Sequence, residues 1–383
     1  MLVEARKIGM GITKNTTAKI TFQNPIYKKL IKNYGVNFTK QYLEANKNAV
    51  ETYENLCQNI DCDFKKVSSI TYSVNDRNKI ENELLALQKL GYNADFLETV
   101  SIPIKISGAI EFKNQAQFNP LKFLAKISEK LNIYENTFVY KLKGNTAFTE
   151  SAKIQAKKII IATHFPFVNS HGSYFLKMYQ DRSYVLGIQN APQPNEMYVD
   201  EAQNGISFRN YKDLLLIGGG SHRTGKSGGG YTELREFVKK YYPNSKEKYF
   251  WSTQDCMTLD DIPYIGHYSK NTPNWFVATG FNKWGMTSSM ISAKILSDIV
   301  LDKKNDFSEI FSPSRSILKP QLFTNLGETI INFCTPTVKR CSHLGCALKW
   351  NKHEHSWDCP CHGSRFNQDG KIIDNPAKKD INV

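Results

Sequence analysis

The sequence contains no apolar run long enough to cross a lipid bilayer. Its most apolar stretches, residues 158–162 and 214–217, are far shorter than the ~20 residues that a membrane helix needs. The residues after Met1 also lack the charged and then apolar pattern of a secretory signal. The sequence therefore predicts a protein without a transmembrane segment, and we expect it in the cytoplasm.

The chain also lacks a block of like charge, although its net charge is +14. Lysines are scattered along the whole length, and the pairs at 157–158, 239–240 and 303–304 do not extend into longer basic runs. Proteins that bind nucleic acid usually show a basic stripe or a known reading motif. We therefore interpret the excess of positive charge as solvated surface and expect no nucleic-acid partner.

The composition predicts a folded chain with more than one domain. A hydrophobic content of 40% with 12% aromatic residues supplies enough apolar surface for a core, and 383 residues suffice for two or three domains. Segments with helical spacing of apolar residues alternate with strand-like segments. This alternation indicates an α/β or α+β fold.

Several elements can be placed along the chain. Two helices are predicted within residues 27–59, with a break near Gly35, and an amphipathic helix is predicted over 286–301. The run 159–163 has the pattern of a fully buried central strand. A polar stretch broken by prolines ends at Pro320, so we predict one domain over 1–320 and a second over 321–383.

Half of the eight cysteines crowd into the last segment, whereas the others are scattered. Cys341 is followed by His343 after one intervening residue, and Cys359 is followed by His362 after two. A [2Fe–2S] centre with mixed ligands needs two thiolates on one iron and two neutral imidazoles on the other. Structural zinc also takes cysteine and histidine ligands, so zinc is the alternative at this point.

The segment closely resembles the Rieske family. The resemblance rests on the sequences Cys341-Ser342-His343-Leu344-Gly345-Cys346 and Cys359-Pro360-Cys361-His362-Gly363-Ser364. It implies that Cys341 and Cys359 bind one iron and that His343 and His362 bind the other. It also implies a disulfide between Cys346 and Cys361 that ties the two loops together.

Two further positions bear on the properties of such a centre. The resemblance implies that the hydroxyl of Ser364 donates a hydrogen bond to a cluster sulfur. Phe366 stands where high-potential members of the family have tyrosine, so one hydrogen bond toward the cluster is missing. We therefore expect a lower reduction potential.

The larger part of the chain should contain an electron donor, because a Rieske centre accepts electrons one at a time. Residues 2–5, 159–163 and 278–287 resemble the FAD-dependent oxidoreductases of the D-amino-acid oxidase and glycine oxidase group. Residues 162–167 and 255–266 resemble the branch in which such a flavoprotein is fused to a C-terminal Rieske domain.

This resemblance implies a three-part architecture. A Rossmann-like FAD-binding domain would comprise residues 1–75, 135–170 and 250–305, and an antiparallel-sheet substrate domain would comprise residues 76–134 and 171–249. A small all-β Rieske domain would follow.

The resemblance also implies the residues that contact FAD. An acid at the end of a Rossmann strand accepts hydrogen bonds from a ribose, and a helix that opens near residue 286 directs its amides at the electron-rich edge of the flavin. The implied contacts are Glu4, Thr16, Thr17, Ala18, Lys19, Val139, Ala162, Thr163, Gly280, Trp284, Gly285 and Met286.

The G-x-G-x-x-G fingerprint of dinucleotide binding does not occur before the strand of Glu4. Gly9-Met10-Gly11 is no substitute, because it follows the acid and continues without a third glycine. The expected first β-strand, glycine loop and helix are therefore missing, which indicates a truncated gene or a mis-called start. The alternative function is a [2Fe–2S] electron carrier that lacks flavin and is not an enzyme.

A third hypothesis comes from residues 220–227, which satisfy the P-loop pattern G-x-x-x-x-G-K-[ST]. A P-loop continues directly into a helix, whereas three glycines follow here and oppose helix formation. The segment is therefore expected to border the active site, with His222 and Arg223 able to face an anionic substrate.

The preferred hypothesis is a flavin-dependent oxidoreductase. It would remove a hydride from a small amine or amino acid at FAD and pass the electrons singly through the [2Fe–2S] cluster to an unidentified acceptor. No side chain stands out as a general base, so the sequence predicts no catalytic residue.

Overall fold

The computed structural model describes residues 1–22, 25–202, 204–226 and 230–382. Within these residues the strands form a nine-stranded sheet, a four-stranded sheet, two three-stranded sheets and a two-stranded sheet. No described helix is both long and apolar enough to span a membrane.

The helices follow the apolar spacing of the sequence. Gly35, at φ +83°, separates the first two as predicted, because glycine readily adopts this backbone conformation. Asp76 and Asn119 each accept hydrogen bonds from first-turn amides and so define two helix starts. The helices are α1 Tyr27–Tyr34, α2 Val36–Cys57, α3 Arg77–Lys89, α4 Pro120–Ser128, α5 Tyr174–Lys177, α6 Gly230–Tyr241, α7 Gly285–Val300 and α8 Pro320–Cys334.

The strands are distributed along the whole chain. They are β1 Leu2–Val3, β2 Lys19–Ile20, β3 Lys65–Ser73, β4 Asp95–Leu97, β5 Gly108–Gln117, β6 Ile133–Tyr134, β7 Lys141–Lys143, β8 Thr146–Phe148, β9 Lys153–Gln155, β10 Ile159–Ile161, β11 Met178–Gln189, β12 Met197–Asp200, β13 Ser207–Tyr211, β14 Leu214–Arg223, β15 Lys246–Thr258, β16 Tyr264–His267, β17 Trp275–Thr279, β18 Lys349–Asn351, β19 Ser356–Asp358, β20 Arg365–Asn367 and β21 Ile372–Asp374.

Two small sheets each contain one parallel strand pair. β1 pairs in parallel with β6, while β10 pairs in parallel with β17, whose other neighbour is the antiparallel β16. The prediction of a fully buried central strand at 159–163 is wrong. β10 is an edge strand and Ile160 is 50% exposed, because no strand within the described residues pairs with its outer edge.

The nine-stranded sheet is the largest sheet within the described residues. Its order is β15-β11-β14-β13-β12-β3-β5-β2, and β4 pairs with β5. The antiparallel hairpins predicted between residues 174 and 217 are confirmed by the pairing of β12 with β13 and of β13 with β14. β11 and β15 are its longest strands, at 12 and 13 residues, and both functional regions described below lie against them.

The C-terminal domain consists of the antiparallel sheet β18-β19-β20-β21 and the two cysteine-containing loops. Its small core includes the four clustered cysteines and Phe366, which is fully buried. Helix α8 leads into this domain with its polar side inward. Asn325 and Asn332 are 4% and 3% exposed, whereas Phe323 and Ile330 are 67% and 62% exposed.

Candidate functional site

The two Cys–His loops, residues 341–346 and 359–364, share one backbone hydrogen-bond pattern. In the first loop the amide of Cys341 donates to the carbonyl of Cys346, and the amide of Gly345 donates to the carbonyl of Cys341, both at 2.9 Å. The second loop repeats the latter bond between Gly363 and Cys359, also at 2.9 Å. The two glycines have φ +80° and +81°, a conformation that strains other residues. Each loop is therefore closed locally by its own glycine.

The two loops bring the predicted histidine ligands together. The rings of His343 and His362 are perpendicular, and their centroids are 4.9 Å apart. Burial, followed by the charge of Lys378, lowers the pKa of His343 to about 4. Burial, followed by the charges of His343 and Arg223, lowers the pKa of His362 to about 3. Both rings are therefore neutral at physiological pH.

The Nδ1 atoms of His343 and His362 fit a metal centre. Each is buried and has no hydrogen-bond partner among the described residues. Burying a polar atom without a partner costs free energy, and a neutral imidazole nitrogen can avoid this cost by donating its lone pair to a metal. Neutral imidazoles are the ligands that a Rieske [2Fe–2S] centre requires on one of its irons.

The four clustered cysteines also lie together. The sulfurs of Cys346, Cys359 and Cys361 are within 4.8 Å of one another. The neighbouring thiol of Cys359, followed by burial, raises the pKa of Cys341. The hydroxyl of Ser364 opposes this rise in the pKa of Cys341, and its hydrogen bond to a cluster sulfur stays a prediction. Four thiols with two imidazoles provide more donors than a tetrahedral zinc site uses.

The eight cysteines, all within the described residues, are free thiols in this structure. The bond between Cys346 and Cys361 therefore stays a prediction. The assignment of Cys341 and Cys359, rather than the other two, as iron ligands also stays a prediction. Cys57 and Cys62, which seem scattered in the sequence, form a second close pair with their sulfurs 3.5 Å apart.

Two glutamines of the nine-stranded sheet hold the second Cys–His loop. Nε2 of Gln180 donates to the carbonyl of His362 at 2.8 Å, and Nε2 of Gln254 donates to the carbonyl of Gly363 at 2.9 Å. Both glutamines are buried, and Gln254 also donates to Oε1 of Gln180 at 2.8 Å. A Cβ on Gly363 would lie 2.6 Å from Cβ of Gln180, so only glycine permits this close approach.

The segment that matches the P-loop pattern also contacts this loop. Strand β14 continues to Arg223, so residues 220–223 are strand rather than phosphate-binding loop. A Cβ on Gly225 would lie 2.7 Å from the backbone nitrogen of Pro360, and Lys226 pairs with Glu328 of α8 at 2.7 Å. Ser227, at the end of the pattern, lies outside the described residues. The nucleotide-binding hypothesis is therefore wrong.

Arg223 does not face a substrate as expected, whereas the expectation for His222 stays a prediction. Arg223 donates to the carbonyls of Pro360 and Cys361 at 2.8 and 3.1 Å, so its charge supports the second Cys–His loop. Nε2 of His222 lies 3.1 Å from the hydroxyl of Tyr184. Tyr184 lies on β11, which pairs with β14.

A buried ion-pair network forms a second connection between the nine-stranded sheet and the C-terminal domain. Arg182 of β11 donates through Nε to Glu354 at 3.1 Å and makes a further contact to it through Nη2. Arg365 pairs with Glu354 at 3.1 Å and with Asp358 at 3.0 Å. Burial acts to raise the pKa of Glu354, but the two arginines outweigh it and lower that pKa to about 2.

The turn 280–286 connects β17 to α7 and contains four of the predicted FAD contacts. Gly280 has φ +72°, and a Cβ there would lie 2.3 Å from Cγ2 of Thr258 and 3.3 Å from the sulfur of Met178. The turn therefore lies directly on β11 and β15. Trp284 precedes α7, and Gly285 starts the helix with open space around its Cα. Together with Met286, these residues provide an open helix N-terminus that fits the electron-rich edge of a flavin.

The predicted contacts Thr16, Thr17, Ala18 and Lys19 lie near this turn. The hydroxyl of Thr287, in the first turn of α7, donates to the carbonyl of Thr21 at 3.3 Å and so connects the two segments. Ala18 is buried with φ +51°. Nζ of Lys19 donates to the hydroxyl of Thr17 at 3.1 Å. The structure thus brings together the residues predicted for the flavin-ring end of the site.

The other predicted FAD contacts lie near the two small sheets that contain β1 and β10. Glu4 follows β1, and its carboxylate accepts a hydrogen bond from the amide of Arg6 at 2.9 Å. Val139 is half-buried, while Ala162 and Thr163 follow β10 and are exposed. The contacts of all twelve residues to FAD stay predictions.

Sequence reasoning missed three charged residues near the turn 280–286. Lys283, within the turn, pairs with Asp181 at 3.4 Å, and Asp181 lies directly opposite Asp255 in the β11–β15 ladder. Burial raises the pKa of Asp255 to about 6; Lys283 opposes this effect and Asp181 adds to it. Lys283 and Asp255 lie in segments that carry the family resemblance, but only the pairing of β11 with β15 brings Asp255 beside Asp181.

The fold and the two sites define a class of protein: a flavoprotein oxidoreductase joined to an iron–sulfur domain. The FAD dependent oxidoreductase family, DAO, matches residues 1–299, and the Rieske [2Fe-2S] domain matches residues 334–383. The chain therefore belongs to the FAD dependent oxidoreductase family and ends in a Rieske domain. The cofactors of these two domains are FAD and a [2Fe–2S] cluster, and the family assignment favours the flavoenzyme over the carrier without flavin.

Three known proteins illustrate this relationship. YhfW, a Rieske 2Fe-2S iron-sulfur protein of Bacillus subtilis (strain 168), is 35% identical over an alignment that covers all of this chain and 87% of YhfW. Glycine oxidase from Geobacillus kaustophilus has a similar fold, with a TM-score of 0.66 and 18% identity over 82% of this chain and 91% of that chain. The cytochrome b6-f complex iron-sulfur subunit 2 of Synechocystis sp. is 46% identical over 50 residues, 13% of this chain and 27% of that subunit.

Proposed function

We propose that this chain dehydrogenates a small amine or amino-acid-like substrate and delivers the electrons through its Rieske domain to a separate acceptor. Bound FAD would supply a hydride acceptor and the bound cluster a one-electron relay. The residues of the chain would orient the substrate, accept its proton and hold the two cofactors close together.

The observation that supports this proposal most directly is a short hydrogen-bonded connection between the two sites. Thr279, next to Gly280, donates through its hydroxyl to the carbonyl of His164. Nε2 of His164 lies 3.2 Å from Oε1 of Gln180, whose Nε2 donates to the carbonyl of His362 at 2.8 Å. Three hydrogen bonds therefore connect Thr279, the residue before the turn 280–286, to a predicted cluster ligand.

The separation of Met178 and Gln180 along β11 also indicates that the two sites are close together. Met178 packs near Gly280, and Gln180 contacts His362. Residues two apart on one strand point to the same face and are about 7 Å apart. This proximity supports direct electron transfer between FAD and the cluster within one chain.

Two cations near the Thr16–Lys19 segment support an anionic group on the substrate, such as an amino-acid carboxylate. The guanidinium of Arg209 donates to Oε1 of Gln117 at 3.1 Å and to the carbonyl of Phe118 at 2.9 Å, and both partners are neutral. Neither Lys19 nor Arg209 forms an ion pair within the described residues. Burial, followed by the charge of Arg209, lowers the pKa of Lys19 to about 7. An anion beside the two cations would relieve this cost. The name of the structural relative glycine oxidase agrees with such a substrate.

Asp255 is the candidate proton acceptor. It lies on β15 beside Lys283 of the turn 280–286, and its pKa of about 6 leaves it ionised at physiological pH but able to take a proton. A general base is most effective when its pKa lies near the working pH. The carboxylate of Asp181, paired with Lys283 at 3.4 Å, adds to the affinity of Asp255 for a proton.

Anaerobic substrate titration of the purified protein tests the proposal. Flavin and iron are first quantified, and glycine, L-proline and simple primary amines are then added while flavin absorbance and the electron paramagnetic resonance (EPR) signal of the reduced cluster are recorded. We expect flavin bleaching by at least one amino acid, followed by the cluster signal. In Cys341→Ser, which removes a predicted iron ligand, the bleaching should persist without that signal.

Two results would overturn the proposal separately. Bleaching of the wild-type flavin with no reduction of a fully loaded cluster would refute the electron route. Reduction by dithionite but by no member of the panel would refute the substrate class.

A further inference from the structure

His343 presents its outer nitrogen to a residue of the oxidoreductase domain. Nε2 of His343 lies 3.0 Å from Oδ1 of Asn169, in the segment between β10 and α5. Nδ1 of the same ring is buried without a hydrogen-bond partner in the described part of the chain. A neutral imidazole carries one proton, so an Nδ1 lone pair given to iron leaves that proton on Nε2. Nε2–H then donates to the amide oxygen of Asn169.

The segment that carries Asn169 is held from both sides. The hydroxyl of Tyr268 donates to the carbonyl of Val168, the residue before Asn169, at 2.8 Å. Asn375, in the Rieske domain, donates to the carbonyl of Phe165 at 2.9 Å. The segment cannot move away from His343 without breaking contacts in both domains. Asn169 is therefore a fixed acceptor rather than a mobile surface side chain.

The second imidazole is covered by the same part of the oxidoreductase domain. The rings of Phe165 and Phe175 make edge contacts with the ring of His362, at centroid distances of 6.3 and 6.2 Å, and His362 is 2% exposed. Gln180 holds its backbone carbonyl. The imidazole edge of the Rieske domain is thus an internal contact between domains.

We propose that Asn169 is a positioning residue for the cluster, which fixes the ring of His343 and lowers the reduction potential of the centre. A hydrogen bond from the outer N–H of a metal-bound imidazole makes the ring a stronger donor and stabilises the more positive, oxidised state of the metal. The edge of the Rieske domain that carries the two imidazoles then receives electrons from the same chain and is not a docking surface for a partner. This role in turnover rests on the proposed function, whereas the effect on the potential does not.

Potentiometric titration with dithionite, followed by EPR of the reduced cluster, tests the inference on the full-length holoprotein. Asn169→Asp keeps the acceptor and adds a negative charge opposite Nε2–H. At a fixed solution potential we expect at least a tenfold higher ratio of oxidised to reduced cluster, which corresponds to about 59 mV for one electron. Asn169→Ala removes the acceptor and should shift the potential upward. Ser170→Ala, at the exposed neighbouring residue, is the matched control and should not shift it.

An Asn169→Asp protein with the potential of the Ser170→Ala control would overturn the inference. A shift of the reduction potential in the same direction for Asn169→Asp and Asn169→Ala would also overturn it. The added negative charge should lower the potential, whereas loss of the acceptor should raise it. If the aspartate variant does not accumulate with iron, the test depends on Asn169→Ala alone. An unchanged or lowered reduction potential in that variant would then overturn the inference. Dithionite supplies the electrons, so failure of every substrate leaves this test intact.

Discussion

Replacing Glu354 by glutamine should weaken the attachment of the Rieske domain to the nine-stranded sheet. The side chain of Glu354 is 11% exposed, and its partners Arg182 and Arg365 are 2% and 6% exposed. Glutamine keeps the shape of the side chain but removes the charge. Arg365 retains its pair with Asp358 at 3.0 Å, whereas Arg182 loses the carboxylate that neutralises it.

The size of the effect follows from the pKa of Glu354. Burial favours the neutral acid, but the two arginines hold the pKa at about 2, below the ordinary value of 4.5. At about 1.36 kcal/mol per pKa unit, this difference corresponds to about 3 kcal/mol in favour of the ionised form. Removing one partner of a buried ion pair generally costs about 3–5 kcal/mol. We therefore expect the free energy of unfolding to fall by about 3 kcal/mol at pH 7.

Urea unfolding of the holoprotein, followed by tryptophan fluorescence, measures this loss because Trp350 and Trp357 lie on β18 and β19 of the Rieske domain. Glu247→Gln is the matched control. Glu247 lies on β15 and pairs with Arg235 at 2.7 Å, but the two side chains are 31% and 48% exposed. An exposed pair of this kind contributes at most about 1 kcal/mol.

The effect of Glu354 should also depend on pH in a defined direction. Its pKa is lower in the folded than in the unfolded state, so its stabilisation is complete above pH 4.5 and is lost as the pH falls toward 2. The stability difference between wild type and Glu354→Gln should shrink over that range. Equal losses for Glu354→Gln and Glu247→Gln at pH 7, or a difference that persists at low pH, would refute the reasoning.

Three further changes have defined expected outcomes. Gly363→Ala places a Cβ 2.6 Å from Cβ of Gln180 and should reduce bound iron several-fold. The control Gly144→Ala, at φ +54° with open space around it, should leave bound iron unchanged. Equal iron contents in the two variants would contradict the packing argument. Gly280→Ala places a Cβ 2.3 Å from a threonine methyl on β15, so the flavin bound per chain should fall without loss of iron. Asp255→Asn should slow substrate-driven flavin reduction and abolish its roughly tenfold rise per pH unit below pH 6, where the wild-type carboxylate is protonated; an unchanged pH profile would exclude Asp255 as the base.

The iron–sulfur loops could be predicted from sequence because their structure depends on adjacent residues. Each loop contains its cysteine, histidine and glycine within six positions, and its hydrogen bonds close within the same six residues. The resemblance to the Rieske family that these short motifs carry therefore predicted that His343 and His362 come together. The helix break at Gly35 was predictable for the same reason, because a residue at φ +83° is a local requirement.

Other features depend on which segments become neighbours. The apolar run of β10 suggested a central strand, but an apolar run does not specify how many strands pair with it, and Ile160 is half exposed. The pattern at 220–227 suggested a phosphate loop, but its register with β11 places Arg223 on the second Cys–His loop. For each segment, the local sequence is compatible with both the predicted and the observed structure. Sequence reasoning therefore could not choose between the two.

The sequence by itself determined the family, the two cofactors and the residue types around the cluster, because these depend on short motifs whose chemistry is local. Only the tertiary structure decided how the two sites are connected. Gln180, Gln254 and Asn169 carry no motif, and they meet the Rieske domain because β11, β15 and the segment after β10 bring their side chains to one interface. Such contacts follow from strand register and domain packing between residues far apart in the chain, which local spacing does not encode.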